Sequence, residues 1–340
     1  MEFTHRQLFQ KFMAPTSDAP LALEITKAAG VYLYDTAGKS YIDLISGIAV
    51  SNVGHCNPRV VKAIKEQVDQ YMHIMVYGEL IESPQVQYAS RIASLLPASL
   101  DAVYFTSSGS EATEGAIKLA RRVTGKVEIV AAHKSYHGST LGALSVMGDE
   151  YWRNAFRPLM PGVWHHDYNS EAFLNAINEK TACVIIEAVQ AESGVNMPDK
   201  EWMQAIRKKC SALGALLIVD EIQTGFGRTG KMFAYKNYSV SPDIITMAKG
   251  LGSGIPIGAT IIKNTISKIN EIPGNRYEYK RLDREFRAQY IAQGGTLQTA
   301  ESWNFTDKQL RNMYIMNTTD RNIHDRFSTY ELYMALSESD

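Results

Sequence analysis

Two unbroken apolar runs stand out in the pattern of hydrophobic and polar positions. Ala215-Leu216-Leu217-Ile218-Val219 closes on Asp220, and Ile244-Ile245-Thr246-Met247-Ala248 closes on Lys249. Runs of strand length without alternation fit strands buried on both faces of a parallel sheet. In such sheets ligands sit beyond the carboxyl ends of the strands, where Asp220 and Lys249 would lie. Taken alone, the aspartate reads equally as a helix cap and the lysine as a solvated loop residue.

The same pattern predicts further strands at 102–106, 128–132, 183–188 and 258–262, with helices between them, notably at 110–122 and 200–213. Strands alternating with helices call for right-handed crossovers and a mostly parallel, helix-covered sheet, an α/β fold. Residues 21–51 instead alternate polar and apolar around Gly30, Asp35-Thr36-Ala37-Gly38-Lys39 and Gly47, which predicts a small antiparallel sheet outside the main domain. Pro58 opens a helix with Val60, Val61, Ile64 and Val68 on one face, and a second starts at Pro84 with Ser83 as its cap. Beyond Lys263 the period is lost, no valine occurs after Val240, and short helices are expected, for example at 307–314. The chain therefore divides into an N-terminal segment with a small sheet (1–57), a large α/β domain (58–262) and an atypical C-terminal segment (263–340).

With 340 residues, 45% of them hydrophobic, the chain can bury a large core and hold more than one domain. A formal net charge of -1 gives no electrostatic case for nucleic acid or an anionic membrane, so small molecules are the expected ligands. Cys56, Cys183 and Cys210 form no CxxC pair and accompany no His cluster, so neither a disulfide framework nor a metal site is expected, and a cytoplasmic setting fits. Glu2, His5, Arg6 and Lys11 interrupt the apolar residues at 1–15, unlike a secretory signal, and no apolar stretch is long enough to span a bilayer.

Three constellations add chemistry. Thr106-Ser107-Ser108-Gly109-Ser110-Glu111-Ala112 lies between a strand and an amphipathic helix; small residues there let an anion approach the first-turn N–H groups, although a plain serine cap reads the same way. In Lys134-Ser135-Tyr136-His137-Gly138, an aromatic ring at a strand end can stack on a planar ligand or simply pack under a loop, and His137 adds a hydrogen bond. In Ile185-Ile186-Glu187-Ala188-Val189-Gln190-Ala191-Glu192, Glu187 ends a buried strand and needs a partner or a task, and Glu192 is placed to face a substrate. A lysine for a Schiff base and a carboxylate for a pyridinium nitrogen are what pyridoxal 5'-phosphate chemistry requires. No GxGxxG follows the early strands, which disfavours a nicotinamide or flavin enzyme.

Together with Gly30-Val31-Tyr32-Leu33-Tyr34-Asp35, Tyr41-Ile42-Asp43, Asn52-Val53-Gly54-His55 and the run from Asp220-Glu221-Ile222-Gln223-Thr224-Gly225 to Gly230, these motifs resemble the class III aminotransferases that depend on pyridoxal phosphate, the acetylornithine, ornithine and 4-aminobutyrate aminotransferase group. The resemblance covers about the first three quarters of the chain. It implies a fold-type I transferase in which Lys249 forms the internal aldimine and shuttles the proton. Asp220 would keep the pyridine nitrogen protonated, and Gln223 would hold the phenolic oxygen. Ser108, Gly109 and Ser110 would bind the phosphate, Tyr136 would stack on the ring with His137 beside it, and Glu187 would support the site. Glu192 would meet the substrate. The implied reaction is a ping-pong transfer of a terminal amino group to 2-oxoglutarate by a homodimer.

The sequence also departs from the family. Ala188 and Ala191 replace the usual Pro and Gly. From residue 262 onward neither the Thr-Phe-Gly-Gly-like segment nor the late carboxylate-binding arginine is found, and Arg276, Arg284 and Arg326 stand in other contexts. The tail reads as replaced or aberrant after about Ile262, or as a divergent segment. An aminomutase or decarboxylase relative and a non-catalytic remnant therefore stand beside the aminotransferase reading.

Overall fold

The computed structural model describes residues 3–74 and 80–267. Strands β1 (Ile25–Ala29), β2 (Tyr32–Asp35) and β3 (Ser40–Ile42) form an antiparallel meander. Gly30, at φ +58, takes the turn between the first two, and Asp35 Oδ1 accepts from the N–H groups of Ala37 and Lys39 in the second turn. This is the small sheet expected from the alternation.

The remaining strands are β4 (Leu100–Thr106), β5 (Glu128–Ala132), β6 (Val163–His166), β7 (Thr181–Glu187), β8 (Leu216–Asp220), β9 (Ile244–Met247) and β10 (Gly258–Lys263). They make a seven-stranded sheet in the order β4-β10-β9-β8-β7-β5-β6. Strands β9, β8, β7, β5 and β6 pair in parallel, and β10 runs antiparallel to both its neighbours. The mostly parallel α/β sheet is thus present with one reversed strand.

Both faces of the sheet are covered, and the pleat sorts its residues between two cores. Ile129, Ala131, Cys183, Ile185, Ile218 and Ile244 pack with Ala116, Ile117 and Ala120 of the Gly109–Thr124 helix. Their neighbours Val130, Ala132, Val184, Ile186, Leu217, Val219 and Ile245 pack on the other side with Met203, Ile206 and Cys210 of the Lys200–Leu213 helix. Side chains of a strand alternate between faces, so a strand covered on both sides must be apolar throughout. All seven residues of β7 are buried.

Some expectations need correction. Strand β6 was not foreseen: its residues are only partly buried, Trp164 is exposed and two histidines close it, so it lacks the continuous apolar signal of the inner strands. Ser83 does not cap its helix. The helix runs Ser83–Ala93 with Glu82 before it and no side-chain cap, while the Ser83 hydroxyl accepts from Gln87. The Pro58–Val68 helix forms behind an Asn57 cap, but its apolar face buries nothing fully among the described residues. Both sheets lie in one compact unit, Met1–Ser267. The helix expected at 307–314, the tail arginines and the missing phosphate threonine fall outside the described residues.

Candidate active site

The carboxyl ends of the inner strands are level. Glu187 is opposite Asp220, and Asp220 is opposite Thr246. Just past β9 the chain turns through Lys249–Leu251, with Lys249 itself in left-handed backbone at φ +48. The turn swings Lys249 back over the strand ends, where its Nζ donates to Gln223 Oε1 and stands 3.9 Å from Glu192 Oε1. A non-glycine residue in that region costs about 1–3 kcal/mol and persists only where its surroundings hold it.

Asp220 is buried at the rim, 2.7 Å from His137 Nδ1, and its other oxygen accepts the Ile222 N–H at 2.9 Å. Glu187 accepts the Tyr136 N–H at 3.2 Å. Burial holds Glu187 well above the ordinary carboxylate range, the negative charge of Asp220 adds to this, and the Tyr136 N–H opposes it. Burial lowers Lys249 from the usual amine value, while Glu192, Asp220 and Glu187 pull it back up. Both shifts have burial as their largest cause, and both favour the uncharged form of the group.

Ser108 caps the Gly109–Thr124 helix by accepting the Glu111 N–H, so the helix opens its first turn toward the rim. Two glycines keep that opening clear. A Cβ at Gly109 would come within 2.9 Å of Ile222, and one at Gly138 within 2.3 Å of Ser110 Oγ. Close approach explains Gly109, and at Gly138 it adds to a backbone at φ +124 that favours glycine.

Nine of the expected residues, Ser108, Gly109, Ser110, Tyr136, His137, Glu187, Asp220, Gln223 and Lys249, line one cavity of about 370 Å³. Glu192 is not on its wall but reaches Lys249 from the side. Sequence reasoning missed Val50, which crosses from the N-terminal segment to the wall, and the Ile255-Pro256-Ile257 rim. The Gly- and Pro-rich stretch from Gly252 to Pro256 was the available signal for that rim. It also missed what steadies the lysine turn. Asn52 Nδ2 donates to Phe226 O and packs on Gly250, and Tyr88 OH donates to Leu251 O. These pairs lie far apart in sequence and carry no local signature.

The architecture, with an amine, a carboxylate and an anion-sized opening on one rim, is that of the transaminases. A solved transaminase from the marine bacterium Virgibacillus superposes with a TM-score of 0.73 at 32% identity, over 78% of this chain and 66% of that one. The taurine:2-oxoglutarate aminotransferase of Bifidobacterium kashiwanohense, solved with PLP and glutamate, gives 0.73 at 31% identity, over 79% and 66%. The class-III aminotransferase family model matches residues 12–280, and the chain belongs to that family. Among curated relatives, the acetylornithine aminotransferase of Halalkalibacterium halodurans is 46% identical over 242 residues, 70% of this chain and 62% of the relative. That of Bacillus subtilis is 44% identical over 248 residues, 72% and 63%. The chain thus spans a little over three fifths of the length of these two relatives.

Proposed function

We propose that the cavity holds pyridoxal 5'-phosphate and that the chain serves a transamination. The amino group would leave an acetylornithine-, ornithine- or 4-aminobutyrate-like donor and pass to 2-oxoglutarate in two alternating half-reactions. The observation that carries this reading is the meeting of Lys249 with Asp220, Gln223 and the Gly109–Ser110 opening around one cavity. The residues suit a planar, phosphate-bearing ring. A helix start cleared of side chains accepts the phosphate, Tyr136 offers a ring face, and the buried His137 Nε2 on the wall has no partner among the described residues.

When bound, pyridoxal phosphate supplies an aldehyde for amines and an electron-poor ring that takes up the electron pair released when a proton leaves the neighbouring carbon. The chain supplies the rest. Lys249 Nζ, lowered by burial, would be the amine that holds the aldehyde and the base at the proton of the substrate carbon. Asp220, fixed by His137 and the Ile222 N–H, presents a carboxylate to the ring nitrogen. Gln223 would face the phenolic oxygen, Ser108, Gly109 and Ser110 would hold the phosphate, and Glu187, raised by burial, would support the ring from its side. Glu192 stands at the substrate end of the amine.

The donor class is supported by the acetylornithine aminotransferases among the relatives. A cytoplasmic homodimer is the setting we propose, and the three cysteines are free thiols, consistent with a reducing compartment.

The test is an absorbance spectrum of the purified chain after pyridoxal phosphate is added and the excess removed, compared with Lys249→Ala and followed by glutamate. The expected result is a visible band, absent from the variant, that glutamate bleaches. No band in a folded wild-type chain would sink the reading. A band indifferent to glutamate and to the proposed donors would favour the remnant, which binds without turnover.

A further inference from the structure

Glu221 follows Asp220 in sequence, yet its side chain points away from the cavity and is fully buried. Its Oε2 accepts the Thr224 hydroxyl at 2.7 Å and the Ala234 N–H at 3.0 Å, and its Oε1 accepts the Tyr235 N–H at 2.7 Å. Its backbone is held too. The Glu221 N–H donates to Thr246 O of β9 at 2.9 Å, and Glu221 O accepts the Gly225 N–H at 3.0 Å. One residue therefore ties the ends of β8 and β9 to both ends of the loop that follows.

That loop needs a tie. Between Ile222 and Phe233 it contains Gly225, Gly227 and Gly230, and Phe226 is in left-handed backbone at φ +57. Glycines and strained residues raise the entropy lost on ordering, and no regular element offsets it. Yet the loop must be fixed, because Gln223 meets Lys249 and the Phe226 carbonyl takes the Asn52 amide. Thr224, beside Gln223, and Ala234, at the far end, share one carboxylate oxygen.

We propose that Glu221 is a positioning residue: its carboxylate braces the 222–235 loop at both ends and so holds Gln223 against Lys249. An apolar side chain of similar size would fill the same space without the desolvation penalty of a buried carboxylate, which pushes this group up to about 7. What such a side chain lacks is three acceptor positions aimed at the two ends of one loop. The assignment of Gln223 to the cofactor's phenolic oxygen rests on the proposed function, whereas its grip on the lysine amine does not.

The test reads the amine directly in the cofactor-free chain of 340 residues. Competitive acetylation of Lys249 is followed against pH by mass spectrometry in wild type, Gln223→Ala, Glu221→Gln and Glu221→Met. Ile206→Ala, a core substitution behind the sheet, serves as a control for general loosening, compared at equal loss of melting temperature. A hydrogen-bond acceptor favours the charged amine, so losing it shifts the labelling curve to lower pH. The expected result is a shift in Gln223→Ala, reproduced by both Glu221 variants and absent from Ile206→Ala. An unmoved curve in the Glu221 variants, an unmoved curve in Gln223→Ala, or an equal shift in Ile206→Ala overturns the brace. Should neither Glu221 variant fold, Thr224→Val removes one of the three donors, and a shift in the same direction supports the brace while none overturns it. Wild type that fails to take up pyridoxal phosphate sinks the functional reading and leaves the labelling result intact.

Discussion

At the scale of the residue, the region is built from groups in unfavourable states. Lys249 is held in left-handed backbone and partly desolvated, Glu187 and Glu221 are carboxyls raised by burial, and Asp220 is buried against His137. Perturbed groups gathered in one place are the mark of a working site more than of a stable one. They also set the pH dependence of stability. Glu221 rises from 4.5 to about 7 on folding, so the folded chain binds its proton more tightly than the unfolded one. The corresponding stability is fully present below pH 4.5 and is lost as pH rises through about 7, an effect on the order of 3 kcal/mol for a fully buried group. Glu187 acts in the same direction, while Lys249, lowered, has the opposite slope at alkaline pH. Urea unfolding of the cofactor-free chain between pH 5 and 8 should show stability falling, with a shallower fall in Glu221→Gln. A slope unchanged by that substitution would mean that Glu221 does not titrate in this window.

At the scale of the element, the strand ends and the helix start could be read from the sequence because their signals are local. Unbroken apolar runs marked β7, β8 and β9, and the serine and glycine run marked the start of the Gly109–Thr124 helix. Edge strand β6 escaped because a half-exposed strand need not be apolar. The left-handed run at Ser46, Gly47, Ile48 and Ala49 escaped for another reason. Three of these residues disfavour that backbone, at a cost of about 1–2 kcal/mol each, and it is held by backbone bonds to Ile45 O and Ser46 O together with the Asp43 carboxylate, itself held by His55 and accepting the Ile45 and Ser46 N–H groups. The opening itself is testable. Gly138→Ala puts a methyl against Ser110 in a backbone at φ +124, so the helix start must shift. Pyridoxal phosphate should bind at least about tenfold more weakly in an equilibrium titration, equivalent to about 1.4 kcal/mol or more. Unchanged affinity would remove the Gly109–Ser110 opening from the phosphate site.

At the scale of the whole molecule, the described residues leave large apolar side chains facing solvent. Leu44, Met72 and Ile81 are each more than four-fifths exposed, and Ile45, Ile48, Val53 and Val68 add to them. Scattered singly such residues mean little, but exposed apolar side chains in number are what the proposed association would cover. The proposed homodimer predicts that the chain sediments at twice its mass of 37.9 kDa and that Ile81→Glu with Leu44→Glu weakens the association without lowering the unfolding midpoint. A monomer at micromolar concentration would refute it. The division into an N-terminal segment, a large domain and an atypical segment at 263–340 remains a proposal at this scale.

The sequence by itself determined the apolar runs that become the inner strands, the helix start after Ser108, and the polar residues Asp220 and Lys249 at or just past two strand ends, because each depends on residues within one strand or one turn. Tertiary structure alone decided that Glu187 would stand opposite Asp220, that Val50 would reach the cavity wall, and that Asn52, Tyr88 and Glu221 would hold the lysine turn and its loop. Strand order and hydrogen bonds between elements join positions that do not share a strand or a helix turn, 174 residues apart for Asn52 and Phe226 and 163 for Tyr88 and Leu251, and such contacts leave no periodic trace along the chain.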